Sequence, residues 1–285
     1  MYTTDVLKKR MNDGAYDAEL TKLYPAGTID AQRKRYCRVI GEFEEFYGEG
    51  REAGLFSAPG RTEIGGNHTD HNHGRVLAAS VNLDAIAVAA KSEGTVVNVK
   101  SEGYAMDTVD ISDLKPHEKE FGKSRALVRG VCSEFKRRGY NVGAFDATTA
   151  SDVLSGSGLS SSAAFEVLLG TIVNHLFNDG KVSDVEIAQI AQAAENKFFG
   201  KPCGLLDQMT SSVGSFVEID FADPAKPVIE KVNFDFASCG YALCIVDTGG
   251  NHPRKPLRPH RRVRRRAQGD GERCGISRQE RSARG

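Results

Sequence analysis

The chain has no Cys-x-x-Cys pair, no apolar run long enough to span a membrane, and no net charge. The six cysteines, Cys37, Cys132, Cys203, Cys239, Cys244 and Cys274, are scattered over 285 residues. That spacing suggests neither a zinc site nor a disulfide framework, and reduced thiols in a cytoplasmic protein are the simpler reading. Without an apolar stretch of about 20 residues, no membrane partner is expected. The start, MYTTDVLKKRMNDGAYDAEL, lacks the apolar centre of a signal peptide and also points to the cytoplasm. No internal repeat or low-complexity linker appears before residue 253. What is present is a hydrophobic content of 40%, enough for an ordinary core in one large domain or two small ones.

The zero net charge hides two compositions. Residues 253–285 carry 11 arginines and Lys255 against Asp270, Glu272 and Glu280. Residues 1–252 keep 26 basic against 35 acidic residues, a net −9. The tail has few apolar residues and no helical or strand period, so it cannot bury enough surface to order itself. It has no aromatic residue for base stacking, which argues against nucleic acid as a partner. We read it as an Arg-rich tail, either plainly disordered or translated out of frame. The domain reading is therefore 1–252 as the folded part and 253–285 as the tail.

Periodicity before residue 253 alternates helices and strands. Residues 30–48 predict an amphipathic helix, with Asp30 as N-cap, Tyr36, Val39, Ile40, Phe43, Phe46 and Tyr47 on its apolar face, and Gly48 as its stop. GLFSAPG, from residue 54, reads as a short strand ended by Pro-Gly. Strands follow from 83, 95 and 104, then a helix over 123–138 and a strand over 144–151. Ser183 with Glu186 predicts a capping box for a helix running to Phe199. Residues 204–213 read as a short helix, SFVEID as a strand and YALCIVDT as another. The class is α/β or α+β.

Residues 151–164 read SDVLSGSGLSSSAA. Gly156 and Gly158 let the backbone approach a ligand closely. Ser160, Ser161 and Ser162 then open the helix AAFEVLLGTIVNHLF, whose start offers unpaired N–H groups and a positive dipole end. That combination suits a phosphate, although the pattern equally fits a serine-capped helix after a flexible turn. No Gly-Lys-Ser/Thr ending follows, so this is not a Walker-type loop.

Two more stretches, APGRTEIGGNHTDHNHG at 58–74 and ENKFFGKPCGLLDQ at 195–208, accompany the serine loop. In order and spacing the three resemble the galactokinase branch of the GHMP kinase family, over roughly residues 25–252. The resemblance implies the N-terminal domain of an α+β GHMP kinase, with the C-terminal domain absent. It implies ATP-dependent phosphorylation of galactose to galactose 1-phosphate by a monomeric sugar kinase. Alternatives are a non-catalytic sensor of galactose and ATP, or an N-acetylgalactosamine kinase.

By the same resemblance, Asp207 is the catalytic base and Arg61 the active-site arginine. A carboxylate within reach of a sugar hydroxyl can accept its proton, and an arginine beside it can stabilise developing charge. His68 and Asp70 match sugar-binding positions, and Gly204 a place where the sugar nears the backbone. Asn67 stands where many galactokinases have a glutamate, and His71 where a tyrosine is usual, which bears on sugar preference rather than reaction class. ATP is expected on Gly156, Ser157, Gly158, Leu159, Ser160, Ser161 and Ser162. Ser162 and Glu195 are the magnesium candidates, because that ion takes oxygen ligands and few of them from protein. Since the family carries a further glycine-rich motif in a second domain, little or no turnover is expected of these 285 residues alone.

Overall fold

The structure, a computed structural model, describes residues 1–246 apart from 67–68, 155, 224, 235–238 and 241–242. The basic tail therefore lies outside the described residues. A two-residue strand β1 (Tyr2–Thr3) leads into α1 (Thr4–Asn12), α2 (Asp17–Leu23) and the long α3 (Ile29–Tyr47). Two long strands follow, β2 (Glu52–Gly65) and β3 (Arg75–Lys91). Next come β4 (Val96–Ser101), β5 (Asp107–Asp110), α4 (Ser124–Arg137) and β6 (Phe145–Ser151). The serine loop then feeds α5 (Ser161–Phe177), followed by α6 (Asp184–Ala194) and α7 (Leu206–Val213). Strands β7 (Phe216–Asp220) and β8 (Val228–Lys231) end the described order.

One mixed sheet carries the order β1-β2-β3-β6-β4-β5, and among the described residues only β4 and β6 are parallel neighbours. Strand β3 is its axis. Its first part pairs with β7, its second with β6, and β2 runs antiparallel along both. Alternation along β3 divides the core. Ala85, Ala87 and Ala89 face α4, α5 and α6, while Ile86, Val88 and Ala90 face α1 and α3. Burial on both faces explains why this stretch is apolar throughout. Helix α5 is apolar nearly all round because it is the most enclosed helix, with Leu168, Leu169, Ile172 and Val173 at 1% exposure or less. On the other face, Asp84 accepts from Tyr24 Oη at 2.5 Å and from Arg35 Nη1 at 2.6 Å, tying α3 to β3.

Several expectations are corrected. The α3 N-cap is Thr28, not Asp30, and Phe46 is exposed although it continues the 36–39–40–43 spacing, one residue before the helix ends. Pro59-Gly60 does not end β2. The ladder resumes at Arg61 after a register shift in which Gly60 stands opposite Val81, Asn82 and Leu83, so β2 runs on while the extra residues bulge from β3. Strand β3 starts at Arg75 rather than 83, because its first residues find β7 as a second partner. The helix expected to run to Phe199 stays α-helical only to Ala194 and widens into a π-turn over Glu195–Phe199. Leu243–Val246 carries no strand, and the rest of YALCIVDT lies outside the described residues. Gly48 does stop α3, and Ser183 and Glu186 form the expected capping box. Among the described residues, no helix is long and apolar enough to cross a membrane.

Candidate active site

The serine loop crosses β2 at Gly60. A Cβ on Gly60 would lie 2.9 Å from the carbonyl oxygen of Leu159 and 3.1 Å from Val153 Cγ1, so only glycine lets the loop sit this close. The Arg61 N–H donates to that same carbonyl at 3.0 Å. Gly156 and Gly158 adopt φ of 84° and 79°, the left-handed region that favours glycine. Ser160, at φ 57°, enters the same region without glycine's freedom, a local strain often kept at functional sites. It is the N-cap of α5, yet its hydroxyl makes no capping bond and instead donates to Asp207 Oδ2. Gly156 and Gly158 are exposed, and Ser160, Ser161 and Ser162 are half-buried, so the start of α5 is open to solvent on the loop side.

Arg61 follows Gly60, where the pairing of β2 with β3 resumes. Its Nε and Nη2 each reach Asp207 Oδ1 at 2.7 Å, and its Nη1 donates to the Gly158 carbonyl at 2.6 Å. Arg61 is buried, while the Asp207 side chain keeps 30% of its surface. One guanidinium thus joins strand, serine loop and α7 through charge-assisted bonds.

Three successive residues of α7 face three different sets of neighbours. Leu206 N–H donates to Asp70 Oδ2 at 3.3 Å. Asp207 takes Arg61 and Ser160. Gln208 Nε2 donates to Glu166 Oε2 at 3.1 Å and to Glu195 Oε2 at 2.9 Å. Ser211 Oγ pins the same helix to the Pro59 carbonyl at 2.7 Å. A Cβ at Gly204 would overlap the Asp70 carboxylate, so the close approach at Gly204 is made by Asp70.

Glu195 opens the π-turn, a feature frequent at functional sites. Its Oε1 receives Ser162 Oγ at 3.4 Å and Lys201 Nζ at 2.8 Å. Burial, with the nearby Glu195 charge, pushes the Glu166 carboxyl well above the usual range. Burial likewise pushes the Cys203 thiol up, which makes it a poor nucleophile. Among the described residues, no group of three or more His, Cys, Asp and Glu gathers as for a metal cage. A hydroxyl and a carboxylate oxygen facing each other at the start of α5 nonetheless fit magnesium, which needs only one or two protein ligands.

The structure therefore brings together Arg61, Gly158, Leu159, Ser160 and Asp207, sets Ser162 against Glu195, and packs Asp70 on Gly204. Asn67 and His68 lie outside the described residues. Gln208, Glu166 and Lys201 escaped sequence reasoning. Gln208 follows the singled-out Asp207, and Glu166 lies one helical turn after Ser162, the only local signals for either.

The GHMP kinases N terminal domain matches residues 126–215, and the galactokinase galactose-binding signature matches residues 41–91. Galactokinase of Clostridium tetani is 37% identical over 174 residues, covering 61% of this chain and 44% of that protein. Galactokinase of Streptomyces coelicolor is 33% identical over 217 residues, covering 75% and 55%. Among solved structures, Lactococcus lactis galactokinase complexed with galactose superposes with a TM-score of 0.62 at 28% identity, over 69% of this chain and 51% of that one. The chain spans about half the length of the curated relatives it matches. Sheet, serine loop and matched segments together carry a GHMP kinase N-terminal domain beside a galactose-binding signature. The relatives it matches are galactokinases.

Proposed function

We propose that this chain supplies the ATP and galactose sites of a galactokinase, which transfers the γ-phosphoryl group of ATP to the anomeric hydroxyl of galactose. The observation that carries the reading is the junction of Arg61, Asp207 and Ser160 at the mouth of the serine loop. Phosphoryl transfer asks the protein for positioning and charge neutralisation more than for covalent chemistry. Arg61 engages one oxygen of Asp207, and Ser160 engages the other. Rotation of the Ser160 hydroxyl frees Oδ2 for the sugar. The anomeric hydroxyl then gives its proton to Asp207 as its oxygen bonds to phosphorus, and the bond from phosphorus to the ADP oxygen breaks.

Residues 156–162 would cradle the phosphates, with the N-terminal end of α5 adding its positive dipole. Asn67, His68, Asp70 and Gly204 would orient the sugar. Ser162 and Glu195 would hold magnesium, which neutralises phosphate charge when bound. Arg61 remains beside the reacting centre to stabilise charge there. ATP as donor supports a cytoplasmic setting, and the proposed site draws its residues from a single chain. The test is single-turnover transfer from γ-labelled ATP with protein in excess of galactose, which follows even the low rate expected of these 285 residues. Asp207→Asn should lower the rate by about 10²- to 10⁴-fold, the usual worth of a positioned base. An Asp207→Asn variant as fast as the parent would refute the assignment.

A further inference from the structure

Ser162 and Glu166 are four residues apart on α5, so they share one face of the helix. Ser162 stands at its mouth and touches Glu195 Oε1, while Glu166 lies a turn deeper. Glu166 and Gln208 are fully buried, and Glu195 is 2% exposed. The two N–H groups of the Gln208 amide serve the two carboxyl groups, at 3.1 Å to Glu166 Oε2 and 2.9 Å to Glu195 Oε2. Glu166 Oε1 and Gln208 Oε1 have no hydrogen-bond partner among the described residues. Burying a carboxyl group is costly, and a leucine of similar volume would fill this place without that cost. A role in stability alone does not explain an acid here.

We infer that Glu166 is a positioning residue, acting through Gln208 to hold the inner oxygen of Glu195 so that the outer one faces Ser162. The chain of contacts is complete. Glu166 fixes one N–H of the Gln208 amide, which sets the plane of the amide. The other N–H is thereby aimed at Glu195 Oε2. Glu195 Oε1 is left on the side of Ser162 and Lys201. Supporting groups of this kind, one bond removed from a metal ligand, commonly govern its affinity. The consequence for magnesium rests on the function proposed above, whereas the clamp on Glu195 does not.

The experiment uses the full chain labelled with ¹³C at its glutamate carboxyl carbons, with the Glu195 resonance assigned through Glu195→Gln. Glu166→Leu should displace that resonance, whereas Glu166→Gln, which still offers an acceptor to Gln208, should leave it near its parent position. Gln208→Met removes both bonds at similar volume and should displace it in the same way, which keeps the test open if Glu166→Leu does not fold. Manganese titration with ATP present, followed by electron paramagnetic resonance, should show about 10- to 100-fold weaker binding for Glu166→Leu and recovery in Glu166→Gln. A Glu195 resonance unmoved in Glu166→Leu, or unmoved in Gln208→Met, overturns the inference. A displaced resonance in a chain that takes up no manganese with ATP upholds the clamp and removes the metal reading instead.

Discussion

Replacing Arg61 by alanine should cost this fold about 2–3 kcal/mol. Breaking a buried ion pair by removing one partner typically costs about 3–5 kcal/mol, because the remaining charge is left without compensation. Here the remaining charge is Asp207, whose side chain retains 30% of its surface, so water relieves part of the penalty. The same variant strips the Gly158 carbonyl of its 2.6 Å bond and loosens the serine loop. For a domain of this size, each kcal/mol lowers the melting temperature by about 2–4 °C, so a fall of roughly 4–12 °C is expected. Differential scanning calorimetry reads it directly. Arg61→Lys keeps the charge but not the fork, and cannot bond Asp207 and Gly158 together, so its melting temperature should fall between those of the parent and the alanine variant. An alanine variant that melts within a degree of the parent would refute the claim that Arg61 joins β2, loop and α7.

Three further outcomes are expected. Gly204→Ala should push Asp70 off the Leu206 N–H and reduce both stability and galactose binding, read by calorimetry with and without the sugar. Lys201→Met removes the ammonium group from Glu195 Oε1 and should tighten manganese binding in the presence of ATP several-fold; weaker binding would mean that Lys201 helps the ion rather than competing with it. The Arg129 guanidinium, at 2.8 Å, holds the Glu120 carboxyl below its usual range. Stability from that pair is complete above the ordinary carboxylate range and is lost as pH falls through the lowered Glu120 value. Urea midpoints for Arg129→Met should therefore show a shallower acid limb than the parent.

Local signals were legible in the sequence wherever structure is decided locally. The capping box at Ser183 and Glu186, the stop at Gly48 and the apolar α5 all follow from short-range chemistry. The glycine pair 156 and 158 announced a loop open to close backbone approach, and both residues take positive φ. Features set by distant partners were not legible. Pro59-Gly60 reads as an end, yet β3 continues beside it, takes up the irregularity in its own residues 81–83 and lets β2 run on through Arg61. The first residues of β3 become a strand because β7, more than a hundred residues later, supplies a ladder. Strand β8 follows only from its pairing with β7. Glu166 looks like one more helix glutamate until α6 and α7 close over it, and its burial cannot be read from neighbours in sequence. Asp70 was singled out for the sugar, but its contact with α7 depends on the bare backbone at Gly204.

The most direct test of the central claim is equilibrium binding of magnesium-ATP and of galactose to the purified chain, followed by isothermal titration calorimetry. Saturable binding at one site per chain is expected, with Gly158→Val, which forces a β-branched residue to φ near 79°, abolishing nucleotide binding while the fold persists. A folded parent chain that binds neither ligand, or a Gly158→Val protein that binds ATP as the parent does, would contradict it.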